Sequence, residues 1–121
     1  MKGIGIDAVE VDRFRTVLGR TPGVATRLFT EGERAAGARR RDPAQRLAAR
    51  FAAKEAVMKA LGVGLGAFPF HDVEVVNAAS GQPDLVLRGK AATLAASQGV
   101  TGWRLSLTHT DRTAHAVAVA L

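Results

Sequence analysis

Apolar and polar positions change period several times along the chain, and each change predicts an element. Met1 to Val9 alternates, with Ile4 and Ile6 on one face and Gly3, Gly5 and Asp7 on the other, which predicts a first strand whose isoleucines face the core. Asp12 then caps a short helix with Phe14, Val17 and Leu18 inward and Arg13 and Arg20 outward. Thr30 and Glu33 have capping-box spacing, so a second helix is predicted from about Glu31 to about Ala38. Asp42 followed by Pro43 starts a long helix that runs to Leu61 and stops at Gly62. Beyond the glycine-rich stretch Gly62 to Gly66, alternation returns at Asp72–Asn77 and, after the Ser80-Gly81-Gln82-Pro83 turn, at Asp84–Arg88. Lys90–Gln98 is an alanine-rich helix with Gly99 past its end, and Trp103–His109 and Ala114–Leu121 form a closing hairpin around Asp111-Arg112.

Strands and helices therefore mix without regular βαβ alternation, which predicts an α+β fold with a mainly antiparallel sheet packed on the long central helix. At 121 residues with no repeat or linker, the whole span 1–121 is expected to be a single domain, small enough that a deep cleft would borrow a wall from a neighbouring subunit.

The long helix carries charge inside its apolar stripe. Leu47, Phe51, Met58 and Leu61 share a face and Lys54 falls among them, while Glu55 and Lys59 stand one turn apart at its edge. A lysine so placed needs an anion or snorkels past its neighbours, and Glu55 with Lys59 reads equally as a surface pair. Gly3 and Gly5 leave bare backbone leading to Asp7, which suits a closely approaching ligand, although glycines also mark bulges and a strand-end Asp also caps turns. Two carboxylates from a strand end and a helix, with no thiol beside them, suit a hard divalent cation that keeps waters and accepts phosphate oxygens. With Lys54 and Lys59 nearby, the set reads as a pyrophosphate clamp. His109 in Ser106-Leu107-Thr108-His109 is a lone histidine, which fits a structural role better than a ligand contact.

Seventeen Lys and Arg against eleven Asp and Glu give a net charge of +6, which points to an anionic partner. A basic module for acidic proteins or nucleic acid is the non-enzymatic alternative. Nucleic acid is disfavoured because Tyr is absent and the aromatics are Trp103 and five Phe. The absence of Cys excludes disulfides, thiolate zinc sites and a cysteine nucleophile. No Walker-type phosphate loop is present. Asp7, Glu10 and Asp12 interrupt any signal-peptide core and no apolar run would span a bilayer, so a cytoplasmic protein that engages no membrane is expected.

Gly3-Ile4-Gly5-Ile6-Asp7, Arg50-Phe51-Ala52-Ala53-Lys54-Glu55-Ala56 with Lys59-Ala60-Leu61-Gly62, and Ser106-Leu107-Thr108-His109 together resemble the holo-[acyl-carrier-protein] synthases, the short bacterial 4′-phosphopantetheinyl transferase family. The likeness runs through Phe70-His71-Asp72-Val73-Glu74-Val75 and Gly81-Gln82-Pro83 as well. It implies transfer of the 4′-phosphopantetheine arm of coenzyme A to a serine of an apo acyl carrier protein, with release of adenosine 3′,5′-bisphosphate. It also implies that Asp7 and Glu55 ligate Mg²⁺, or Mn²⁺ in its place, and that Glu55, directly or through a water, helps deprotonate the serine. Lys59 is then catalytic, near the phosphates, and Lys54, Lys59, Gly62, Pro83 and His109 bind coenzyme A. Arg13 and Arg20 dock the acidic carrier protein, and the assembly is a homotrimer with sites at subunit interfaces. Gln82 stands where the family often has Lys or Arg, so one ionic contact to coenzyme A is expected to be missing.

Overall fold

The computed structural model describes residues 1–121. Strand β1 (Gly3–Glu10) leads into helices α1 (Val11–Arg20), α2 (Val24–Leu28), α3 (Glu31–Ala38) and α4 (Pro43–Ala60), then a 3₁₀ turn at Phe70–Asp72. The hairpin β2 (Val73–Asn77) and β3 (Pro83–Leu87), helix α5 (Gly89–Ser97), and the hairpin β4 (Trp103–His109) and β5 (Thr113–Ala120) complete the chain. Two antiparallel sheets result, one of order β1-β5-β4 and one of β2-β3, with α4 packed on them. The α+β expectation is met. No helix is long and apolar enough to cross a membrane.

The helix boundaries follow from their caps. Thr30 Oγ1 accepts the Glu33 N–H at 3.2 Å and Glu33 Oε1 accepts the Thr30 N–H at 3.0 Å, the reciprocal pair that the spacing predicts. Asp42 accepts the Gln45 N–H and Pro43 occupies the first turn of α4. At its other end, Gly62 adopts φ +72°, its N–H donating to the Lys59 carbonyl while that of Val63 reaches Met58, which is the Schellman arrangement a side chain would strain. At α1 the expectation fails: the helix starts at Val11 after Glu10 with no side-chain cap, and Asp12 lies in the first turn beside Arg15. Helix α2 has no counterpart in the periodicity, since five residues are too short for one.

The first strand presents the opposite face to the one expected. Ile4 and Ile6 are 58% and 62% exposed, and it is Gly3 and Gly5 that meet the core. The cause is the depth at which α4 sits. A Cβ on Gly5 would lie 1.9 Å from the Ala56 carbonyl oxygen, and one on Gly3 2.0 Å from that of Ala60. The central strand matches this with Ala114, Ala116, Ala118 and Ala120, and the helix answers with Ala48, Ala49, Ala52, Ala53 and Ala56. Small residues on both sides let backbone approach backbone, so the bare face of β1 receives a helix rather than a ligand. Directly paired residues share a face of a sheet, so Asp7, opposite Ala116, points to the α4 side.

Candidate active site and arginine cleft

Helix α4 is buried on most of its circumference, and the positions left accessible define two sites. Phe51, Glu55 and Lys59 follow one another at successive turns along one edge. That edge borders an open cavity of about 640 Å³ into which Asp7 and Glu55 both project, over an apolar floor that includes Phe14, Phe51 and Phe70. Phe51 stacks on Phe70 with centroids 5.6 Å apart. Lys59 Nζ, half-exposed, donates to the Ile6 carbonyl at 2.9 Å and to Asp7 Oδ1 at 3.2 Å. Burial and then the charge of Asp7 push the Glu55 carboxyl above its ordinary range, with Lys59 opposing them. Two carboxylates that repel one another are a site a cation would stabilise.

The donor set is compatible with Mg²⁺. No three His, Cys, Asp or Glu side chains gather to cage a metal, and Mg²⁺ commonly takes one or two carboxylates and fills its remaining positions with water and substrate phosphate. Arg13, on the first turn of α1, borders the same cavity, whereas Arg20 lies two turns further along and is exposed.

Lys54, expected at the phosphates of coenzyme A, is instead fully buried and faces away from the cavity. Its ammonium donates to Glu33 Oε1 at 2.8 Å, to the Phe70 carbonyl at 3.0 Å and to the Val73 carbonyl. All three of its donors are therefore spent inside the protein, and no phosphate can reach it. Glu33 comes from α3, so neither periodicity nor local spacing could identify it as the anion the buried lysine requires.

Pro83 and His109 meet on the other side of α4, roughly half a turn round the helix from Glu55. They line a cleft of about 690 Å³ together with Arg40, Arg41, Arg46 and Arg50, against the acids Asp42 and Asp111. Arg50 is only 3% exposed and makes no hydrogen bond or ion pair, and the Nε atoms of Arg46 and Arg50 are both buried without acceptors. Burial, then repulsion from Arg46, lowers the Arg50 pKa to about 10 although Glu33 opposes the shift. A buried guanidinium left without an acceptor is costly and marks a place prepared for an anion. Arg40, Arg41 and Arg46 were not among the candidate residues of the sequence, and Arg50 entered only as part of the family motif. The available signal was the four-residue spacing of Arg46, Arg50 and Lys54 on one face of α4. Gly62 lines neither cavity and sits at the end of α4, held nearby by Gln98 donating to the Leu61 carbonyl at 2.9 Å. One copy of the chain thus gathers Asp7, Glu55, Lys59 and Arg13 on one side and Pro83 and His109 on the other.

A family model described as the 4′-phosphopantetheinyl transferase superfamily matches residues 3–120. The holo-[acyl-carrier-protein] synthase of Frankia alni is 52% identical over 118 residues, covering 98% of this chain and 95% of that protein. Among solved structures, the holo-[acyl-carrier-protein] synthase from Neisseria meningitidis aligns with a TM-score of 0.89 at 32% identity, covering 100% of this chain and 98% of that one. That from Bacillus anthracis, in complex with CoA (3′,5′-ADP), aligns with a TM-score of 0.81 at 33% identity, covering 98% and 94%.

Proposed function

The chain belongs to the 4′-phosphopantetheinyl transferase superfamily, and we propose that its carboxylate cavity and its arginine cleft, contributed by neighbouring copies, form the site of that family's reaction. The reaction moves the phosphopantetheine arm of coenzyme A to a serine of an apo acyl carrier protein and releases adenosine 3′,5′-bisphosphate. The observation that carries the reading is that Asp7 and Glu55 border one cavity closely enough for the charge of Asp7 to raise the Glu55 pKa.

Asp7 and Glu55 hold Mg²⁺, which when bound supplies positive charge to the pyrophosphate of coenzyme A. Glu55 accepts the proton of the serine hydroxyl as its oxygen bonds to the β-phosphorus. The bond from that phosphorus to the bridging oxygen breaks, and the departing phosphate carries the electron pair away. Lys59, now resting on Asp7 and the Ile6 carbonyl, is free to turn its half-exposed ammonium towards the phosphates. Arg13 and Arg20 meet the acidic carrier protein, and charge complementarity speeds and orients that encounter.

The arginine cleft receives the phosphorylated adenosine end. Pro83, His109 and the unpartnered Arg50 support this placement, and the arginines supply the charge that Gln82 does not. Because the two half-sites lie on opposite sides of α4, a cofactor that uses both requires a second copy related by rotation, which closes into a ring. The family resemblance makes that ring a homotrimer, and the exposed Ile4 and Ile6, flanked on β5 by Val119 and Val117, provide apolar surface for it.

Incubation of the protein with coenzyme A, Mg²⁺ and an apo carrier protein is expected to add one phosphopantetheine mass per carrier, and Asp7→Asn to abolish the addition. An unmodified carrier with the wild-type enzyme across several carriers would refute the reading.

A further inference from the structure

Arg46, Arg50 and Lys54 recur every fourth residue on α4 and form one cationic stripe that passes from the cleft into the core. Glu33 is the one fully buried acid beside it. The Glu33 carboxylate is heavily engaged: Oε1 accepts from Lys54 at 2.8 Å and from the Thr30 N–H at 3.0 Å, and Oε2 accepts from the Val75 N–H at 2.9 Å. Arg50, one turn before Lys54 and just as deep, has no partner at all. Glu33 is nevertheless the acid whose charge acts on Arg50. Two buried cations thus lie within the influence of one buried anion, and only the lysine is bonded to it.

We propose that Lys54, by occupying Glu33, keeps the Arg50 guanidinium vacant for a phosphate in the cleft. Lys54 is thus a positioning residue for substrate binding, one step removed from the ligand. This inference rests on the reading of the cleft as the site for the phosphorylated end of coenzyme A. Without the lysine, Glu33 would be a buried carboxylate with no ion partner, and Arg50 is the cation available to neutralise it. The internal pair that forms would compete with any phosphate for the fork of the guanidinium.

Isothermal titration of adenosine 3′,5′-bisphosphate tests this with four variants, each checked for its fold by circular dichroism. Lys54→Met is expected to weaken binding by about tenfold to a hundredfold, the scale of one charged hydrogen bond. Glu33→Gln is expected to bind within about twofold of wild type, because nothing then competes for Arg50. The double variant Lys54→Met/Glu33→Gln is expected to recover most of what Lys54→Met loses. A role for the pair in shaping the core alone predicts the reverse, with the double variant as weak as Lys54→Met and Glu33→Gln weakened too, and either result would overturn the inference. If Lys54→Met does not fold, Glu33→Gln decides: retained affinity supports the inference and lost affinity overturns it. Arg50→Ala binding as tightly as wild type would overturn the reading of the cleft itself, and the inference with it.

Discussion

Glu55 and Lys54 are neighbours in sequence with opposite fates, and the difference is set by which side of α4 each occupies. Glu55 lies on the accessible edge, where burial and Asp7 push its carboxyl above the ordinary value. As the proposed base, Glu55 accepts a proton only when ionised, so kcat/KM is expected to fall as pH drops through that raised value. Since a bound cation favours the ionised form, a higher Mg²⁺ concentration is expected to move this acid limb to lower pH, as pH profiles at two concentrations would register. Glu55→Gln is expected to lower kcat/KM by about 10²-fold to 10⁴-fold with an unchanged fold. Glu74 is the opposite case. The Thr30 hydroxyl, at 2.6 Å, and then Arg88 hold its pKa below the ordinary 4.5. Its contribution to stability is complete above the unfolded-chain value and is lost as pH falls through the lower folded value. Glu74→Gln is expected to cost about 1–2 kcal/mol near neutrality, a gap that urea titrations should find narrowing on acidification.

The contact of β1 with α4 determines where Asp7 stands. Gly5→Ala would place a Cβ 1.9 Å from the Ala56 carbonyl, so the helix must lift from the sheet or the strand must shift. The expected cost is about 3 kcal/mol or more, read as a lower unfolding midpoint, with a larger proportional loss of kcat/KM as Asp7 and Glu55 part. Much of this level was legible in the sequence. Thr30 with Glu33, Asp42 with Pro43, and Gly62 each predict a helix boundary, because caps are local chemistry with fixed spacing. The face of β1 was not legible. Alternation assigns the larger apolar residues to the core, whereas here close backbone packing selects glycine and alanine and leaves Ile4 and Ile6 outside. The destination of Lys54 and the vacancy of Arg50 both depend on Glu33, a partner that only the tertiary fold brings near. Asp7 and Glu55 stood out as candidates because residue type, strand end and helix edge agreed, although a surface pair with Lys59 and a turn cap competed locally with that reading, and it is the tertiary fold that brings the two to one cavity.

Across the whole molecule the two half-sites do not meet. The carboxylates open to one side of α4, and the arginine cleft with Pro83 and His109 to the other. A chain that catalyses transfer with both must do so between copies. Glu55→Gln and Arg50→Ala damage different walls, so a ring that mixes the two variants contains some interfaces at which both walls are intact. For random mixing in a cyclic assembly that share is about one quarter. The decisive measurement is the rate at which co-expressed Glu55→Gln and Arg50→Ala chains load an apo carrier protein, followed by mass spectrometry. Recovery to about one quarter of the wild-type rate, from variants that are nearly inactive alone, is the predicted result. A mixture no faster than the average of its two components would contradict a site shared between neighbouring copies.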